Sequence, residues 1–256
     1  MAEARTPVWA RPRSAGRGPQ PSLSVTTIVD AAIALADAEG VEAVSMRRIA
    51  SELGVGTMSL YRYVETKDDL LDLMIDQVMG ERVVVAGGTD AGPAPAGDWR
   101  ARLRAIAVGY RAMLLRHPWV LAITASRPPL GPNMLDNTER MLGAMDGLGL
   151  GIDAMAGFGW TVMAFVRGFV MSEIAEVETI RRTGQTEDDY RRSAGPYLVR
   201  VLAEGKHPLL ARFVHDADDD RDVEEGFGHG LEVVLDGLAV ELGRLSVAGD
   251  SVSGTN

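Results

Sequence analysis

A chain of 256 residues, 46% hydrophobic and 24% charged, can bury one large or two modest cores. It has no cysteine, which excludes disulfides, thiolate metal sites, iron–sulfur clusters and thiol catalysis. The formal net charge is −10, yet residues 1–67 hold eight basic and seven acidic side chains, so this segment is +1 and the rest −11. The acidity that repels nucleic acid therefore lies behind the first quarter of the chain.

Residues 1–22 are rich in Pro, Arg, Gly and Ser without apolar periodicity, and are expected to be a disordered basic arm able to reach phosphates or a minor groove. No apolar stretch of signal-peptide length follows Arg5, Arg11, Arg13 and Arg17, and no uninterrupted apolar run reaches a membrane span. A soluble, cytoplasmic protein is the expectation.

The first helix starts near Ser24 to Thr27, repeats Ile28, Ala32, Leu35 and Ala36 at helical spacing, and stops at Gly40. A second helix follows Ser45 and ends at Leu53 before Gly54. A third runs from Thr57 to Val64, and a fourth starts at Thr66, with Asp68 and Asp69 in its favourably polarised first turn. Residues 86–97 read as a flexible connection. Further helices are expected at 98–116, 119–125, 132–148, 152–180, 187–203 and 222–246, with Pro196 placed awkwardly in the fifth of these. Nothing alternates long enough for a strand, and the low 5% of aromatics agrees. The expected fold is all-α. A helix-turn-helix head at 23–67 precedes a larger helical domain at 68–246, and a disordered tail occupies 247–256.

The informative stretch is VSMRRIASELGVGTMSLYRYVETK, residues 44–67. Two short helices crossing steeply over a tight turn need a small residue at the crossing, Ala50, and a left-handed turn residue, Gly54. Ile49, Leu53, Val55, Leu60 and Val64 supply the inner positions. The second helix of such a pair enters the major groove N-terminus first, which puts Thr57 and Met58 at base edges. Arg47 is placed to reach a guanine edge, with Arg48 beside it. Ser59, Tyr61, Arg62 and Tyr63 are candidates for backbone contacts, and Lys67 for a phosphate at the start of the fourth helix.

With those residues in view, the chain resembles the tetracycline repressor (TetR) family. Residues 25–75 match its three-helix head, from a helix ending in AEG through SMRRIASELGVGTMSLYRYVETKDDLL. Looser similarity to tetracycline repressors extends over Trp99, LLRHPWVLAITASRP at 114–128, FVRGFVMSE at 165–173 and FGHGLEVVLDGLAVEL at 227–242. The resemblance implies a homodimeric repressor that leaves a palindromic operator when a small molecule binds the rear domain. It also implies a departure. Where tetracycline repressors grip a magnesium–drug chelate with polar residues, this chain has Val83, Ile106, Thr124, and Ser172 or Glu173. A different, largely apolar ligand is expected.

A ligand pocket between helices of the rear bundle is expected to be lined by Val83, Ile106, Tyr110 and Met113, with Met134, Met141, Trp160 and Met163. Two apolar stripes, Phe158, Val162, Phe165 and Phe169, and Phe227, Leu231, Val234, Leu238 and Leu242, are candidates for a four-helix dimer interface, with Gly226, Gly228 and Gly230 allowing close approach. No catalytic or metal constellation is legible. His215 with Asp216 and the Asp218–Asp220 run lack the Gly and distal Glu of a calcium loop. The reading is therefore a DNA-binding regulator without cofactor, whose partners are double-stranded DNA, an effector and a second copy. A ligand-independent regulator or activator, and more remotely a helical enzyme with an incidental head, are the alternatives.

Overall fold

The computed structural model describes residues 7–10, 23–81, 98–124, 130–216 and 222–253. Among these every regular element is helical. The head comprises α1 (Val25–Glu39), α2 (Met46–Glu52) and α3 (Thr57–Leu60), followed by α4 (Lys67–Met79). Serine and threonine caps set the starts. Ser24 accepts from the Thr27 amide, Ser45 from that of Arg48 and Thr66 from that of Asp69. Behind lie α5 (Trp99–Arg116), α6 (Trp119–Thr124), α7 (Pro132–Gly143), α8 (Ile152–Thr183), α9 (Glu187–Ala203), α10 (Pro208–Asp216) and α11 (Val223–Ser253).

The head core is Ile28, Ala32, Ile49, Leu60 and Leu70, all at most 2% exposed. α4 leaves the head packed on α1 and continues onto α7. In the rear domain α8 is the central helix, lying against α5, α7 and α11. Its length and apolarity suit a bilayer span, but only 22% of its most apolar 18-residue stretch is buried in the protomer. α9 and α10 pair with each other and leave Tyr197, Leu209 and Phe213 exposed.

Several elements differ from the sequence reading. Residues 8–10 form a short 3-10 turn against α4, with Val8 and Trp9 on the core, so this part of the expected disordered arm is ordered. α-Helical geometry in α3 stops at Leu60, and the chain continues to Val64 in turns closed by Tyr63 N–H and Val64 N–H donating to the Leu60 carbonyl. α7 ends at Gly143, because Gly147 and Gly149 follow in left-handed conformations. Pro196 lies inside α9. α10 was not anticipated, and α11 runs to Ser253, past the expected start of a disordered tail. The 86–97 connection, the Asp218–Asp220 run and Val83 fall outside the described residues.

Candidate nucleic-acid interface and effector domain

The reader is built by its turn. Leu53 and Gly54 close α2, and Val55 N–H donates to the Ala50 carbonyl at 2.9 Å, folding the chain back before α3. Gly54 has φ +66°, a region costly for residues with a β-carbon. Leu60 and Val64 are buried beneath α3, which turns its other face outward. Met58 is 76% exposed at the tip, with Thr57 beside it at the first helical position. Tyr61 and Arg62 are exposed, while Ser59 and Tyr63 are half-buried, Tyr63 against the core.

The basic residues divide into two groups. Arg47, Arg62 and Lys67 are exposed, and among the described residues no carboxylate pairs with them. Arg48 is engaged. Its Nη2 donates to Glu39 at 2.7 Å and its Nε to Glu52 at 3.0 Å, and these carboxylates raise its pKa. It ties α2 to the end of α1, so an Arg48–DNA contact would have to displace two carboxylates. The i,i+4 spacing of Arg48 and Glu52 signals half of this pairing, but nothing in the spacing marks Glu39, nine residues back.

The rear domain holds a polar knot that the sequence reading missed. Arg111 on α5 donates from Nε and Nη2 to the two oxygens of Glu173 on α8, at 3.0 and 2.6 Å. Its Nη1 reaches Glu224 on α11 at 2.6 Å, and its guanidinium lies 4.5 Å from the Phe227 ring centroid. The Glu173 hydrogen bond, followed by Glu224, raises the arginine pKa above its ordinary value. One cation thus joins three helices.

The side chains at the positions of the family's magnesium-chelate grip do not fit that group. Ile106 has no donor atom, the Thr124 hydroxyl donates to the Val120 carbonyl of its own helix at 2.8 Å, and Glu173 is saturated by Arg111. Around this level Met113 and Met141 are buried and Ile106, Tyr110, Met134 and Met163 half-buried. Burial pushes the Tyr110 phenol pKa up, partly offset by the positive charge of nearby Arg167 on α8. Trp160, expected among the lining residues, is 68% exposed on the outer face of α8.

The two apolar stripes expected at a dimer interface face inward. Phe158, Val162, Phe227, Leu231 and Leu238 are buried within one protomer. Phe165 stacks on Phe227 at 5.7 Å and Phe169 meets the same ring edge-on at 5.4 Å, while Val234 and Leu242 pack against the same core. Gly230 serves this packing, since a β-carbon there would stand 2.8 Å from Phe165. Helical periodicity identifies a buried stripe but not the chain that buries it. Among the apolar residues left outside are Trp160 and Met171 on α8 and Val233 and Val240 on α11.

Comparison with known proteins agrees with this architecture. Residues 28–74 match the family described as "Bacterial regulatory proteins, tetR family", and residues 91–242 match "Tetracyclin repressor-like, C-terminal domain". The chain is 41% identical to the HTH-type transcriptional repressor DrrR1 of Streptomyces coeruleorubidus over 238 residues, 91% of this chain and 83% of that one. An HTH-type transcriptional regulator of Saccharopolyspora erythraea is 34% identical over 236 residues, 92% of either chain. Among solved structures, the Streptomyces coelicolor TetR family protein ActR in complex with actinorhodin superposes with a TM-score of 0.68 at 30% identity, covering 88% of this chain and 100% of that one. The chain belongs to the TetR family and is a DNA-binding transcriptional repressor.

Proposed function

We propose that this repressor acts as a homodimer on a palindromic operator, with Arg47, Thr57 and Met58 at base edges and Ser59, Tyr61, Arg62, Tyr63 and Lys67 on the sugar–phosphate backbone. The observation that carries the reading is the set of exposed cations Arg47, Arg62 and Lys67, free of carboxylates among the described residues, around a protruding Met58. An apolar tip suits a thymine methyl, and unpaired cations suit phosphates and guanine. The outer face of α8 and α11 supports a two-fold dimer, since Trp160, Met171, Val233 and Val240 are exposed there and can meet the same surface of a second copy.

The effector site lies between α5, α7 and α8. Ile106, Met113, Met134, Met141 and Met163 supply an adaptable apolar lining. Tyr110 and Arg167 supply the polar handle, suited to a carbonyl or acidic oxygen on a mostly apolar molecule. That ActR is seen with actinorhodin supports a small-molecule effector here. The effector must bind the non-operator spacing of the heads more tightly than the operator-bound one, or it shifts nothing.

Selecting bound sequences from a random DNA pool and screening small molecules for release tests both halves. The expected result is a palindromic site and release by apolar, oxygen-bearing compounds without magnesium. Recovery of asymmetric sites, or magnesium-dependent release by tetracycline, would overturn the reading.

A further inference from the structure

The chain has 12 methionines and no cysteine, so the thioether is its only sulfur. Folding separates these methionines by access. Among the described residues only Met58, at 76%, and Met171, at 59%, are exposed, and the others are buried or half-buried. Met171 lies on the face of α8 that meets a second copy in the proposed dimer, which leaves Met58 as the exposed sulfur of that assembly. Met58 is the second residue of α3, and two positions on, Leu60 is fully buried. The contact that anchors α3 on the head core therefore turns the Met58 thioether towards water.

A sulfur so placed is open to peroxides. Its lone pair attacks the hydroxyl oxygen of a hydroperoxide. The S–O bond forms as the O–O bond breaks, sulfur loses two electrons, and the departing oxygen takes the hydroxyl proton and leaves as water or an alcohol. The product is a sulfoxide, a strong acceptor where an apolar group stood. Against a thymine methyl that oxygen loses its water and finds no donor, and beside phosphate, O4 and N7 oxygens and nitrogens it meets only other acceptors.

We propose that Met58 is a redox-modification site in the DNA reader: a hydroperoxide converts it to the sulfoxide and releases the operator. A methionine sulfoxide reductase reverses the step, removing the oxygen as water while two thiols become a disulfide. This rests on the placement of Met58 at a base edge and operates without the rear effector site.

The test uses the full-length protein, graded hydrogen peroxide and the DNA site selected from the random pool. Peptide mass spectrometry is expected to show Met58 gaining one oxygen before the other described methionines in free protein, and more slowly when the site is bound. Affinity is expected to fall about tenfold in step with the fraction of Met58 oxidised, with helix content unchanged. Reductases for both sulfoxide epimers are expected to restore it. Met58→Leu, whatever its starting affinity, is expected to bind equally before and after peroxide. Equal losses in wild type and Met58→Leu would overturn the proposal. So would full affinity in wild type with Met58 oxidised, and if untreated Met58→Ala binds weakly, the base-edge placement survives that result. Undiminished affinity in Met58→Ala, or oxidation of Met58 at the same rate with and without DNA, would remove the placement and the proposal together.

Discussion

Arg111 holds both oxygens of Glu173, at 3.0 and 2.6 Å, with the two side chains only 10% and 14% exposed. A pair so placed is strongly directional and depends on both members. Arg111→Met leaves the Glu173 carboxylate uncompensated and is expected to cost about 3–5 kcal/mol in chemical denaturation, while Arg111→Met combined with Glu173→Leu recovers most of the loss. If the single and double variants are equally unstable, the cost lies in lost packing against Phe227.

The reader predicts two kinds of loss on DNA. Arg47→Ala is expected to weaken the selected site by about 1–3 kcal/mol and to relax preference at one base pair. Arg62→Ala and Lys67→Ala are expected to weaken all sequences alike and to reduce the magnitude of the slope of log affinity against log salt by about 1 each. Arg48→Ala, whose guanidinium is already neutralised, is expected to leave that slope nearly unchanged. Fluorescence anisotropy across a salt series separates these outcomes.

The outer and inner faces of α8 respond differently to charge. Trp160→Glu is expected to split the proposed dimer while keeping helix content, measured by sedimentation and circular dichroism. Val162→Glu buries an unpaired carboxylate at a position with 0% exposure and is expected to unfold the protomer. A Trp160→Glu variant that remains dimeric would place the interface elsewhere.

Asp76 joins α4 to the start of α7, accepting from the Met134 amide at 3.1 Å and from Asn133 Nδ2 at 3.0 Å. A β-carbon on Gly131 would overlap this carboxylate, so Gly131→Ala is expected to lose about 1–3 kcal/mol of stability. Burial raises the Asp76 pKa, outweighing its hydrogen bonds. With the folded value above the unfolded one, the Asp76 contribution is fully present at acid pH and is lost as pH rises through the folded value. The stability advantage of wild type over Asp76→Asn is therefore expected to shrink as pH climbs from about 4, the ordinary carboxylate range. Denaturation midpoints at several pH values provide the check, and an advantage that grows with pH would contradict it.

What the sequence made legible was local. The caps Ser24, Ser45 and Thr66 and the turn at Gly54 are short-range signals, and the head follows from them. What it hid was pairing at a distance. Nothing near Arg48 marks Glu39 as its partner, and nothing near Phe165 says that Phe227, rather than a second chain, will cover it. Arg111 and Glu173, separated by 62 positions, meet only because α5 and α8 pack together. α10 was missed because Leu209, Leu210 and Phe213 sit in a segment of 9 residues, too short for periodicity to stand out.

Oδ1 of Asp37 on α1 lies 2.8 Å from Nδ1 of His117, which follows α5 and is 80 positions away. In a chain made from its amino end, α1 to α4 emerge well before the histidine that fastens them. The contacts closing α1 onto α2 and α4 are near in sequence and quick to form, whereas the tie to His117 must wait for a much larger loop to close. During synthesis there is thus an interval in which a nascent chain displays a folded reader with nothing yet to restrain it. Ribosome-bound chains stalled before residue 117 give direct access to that unrestrained head.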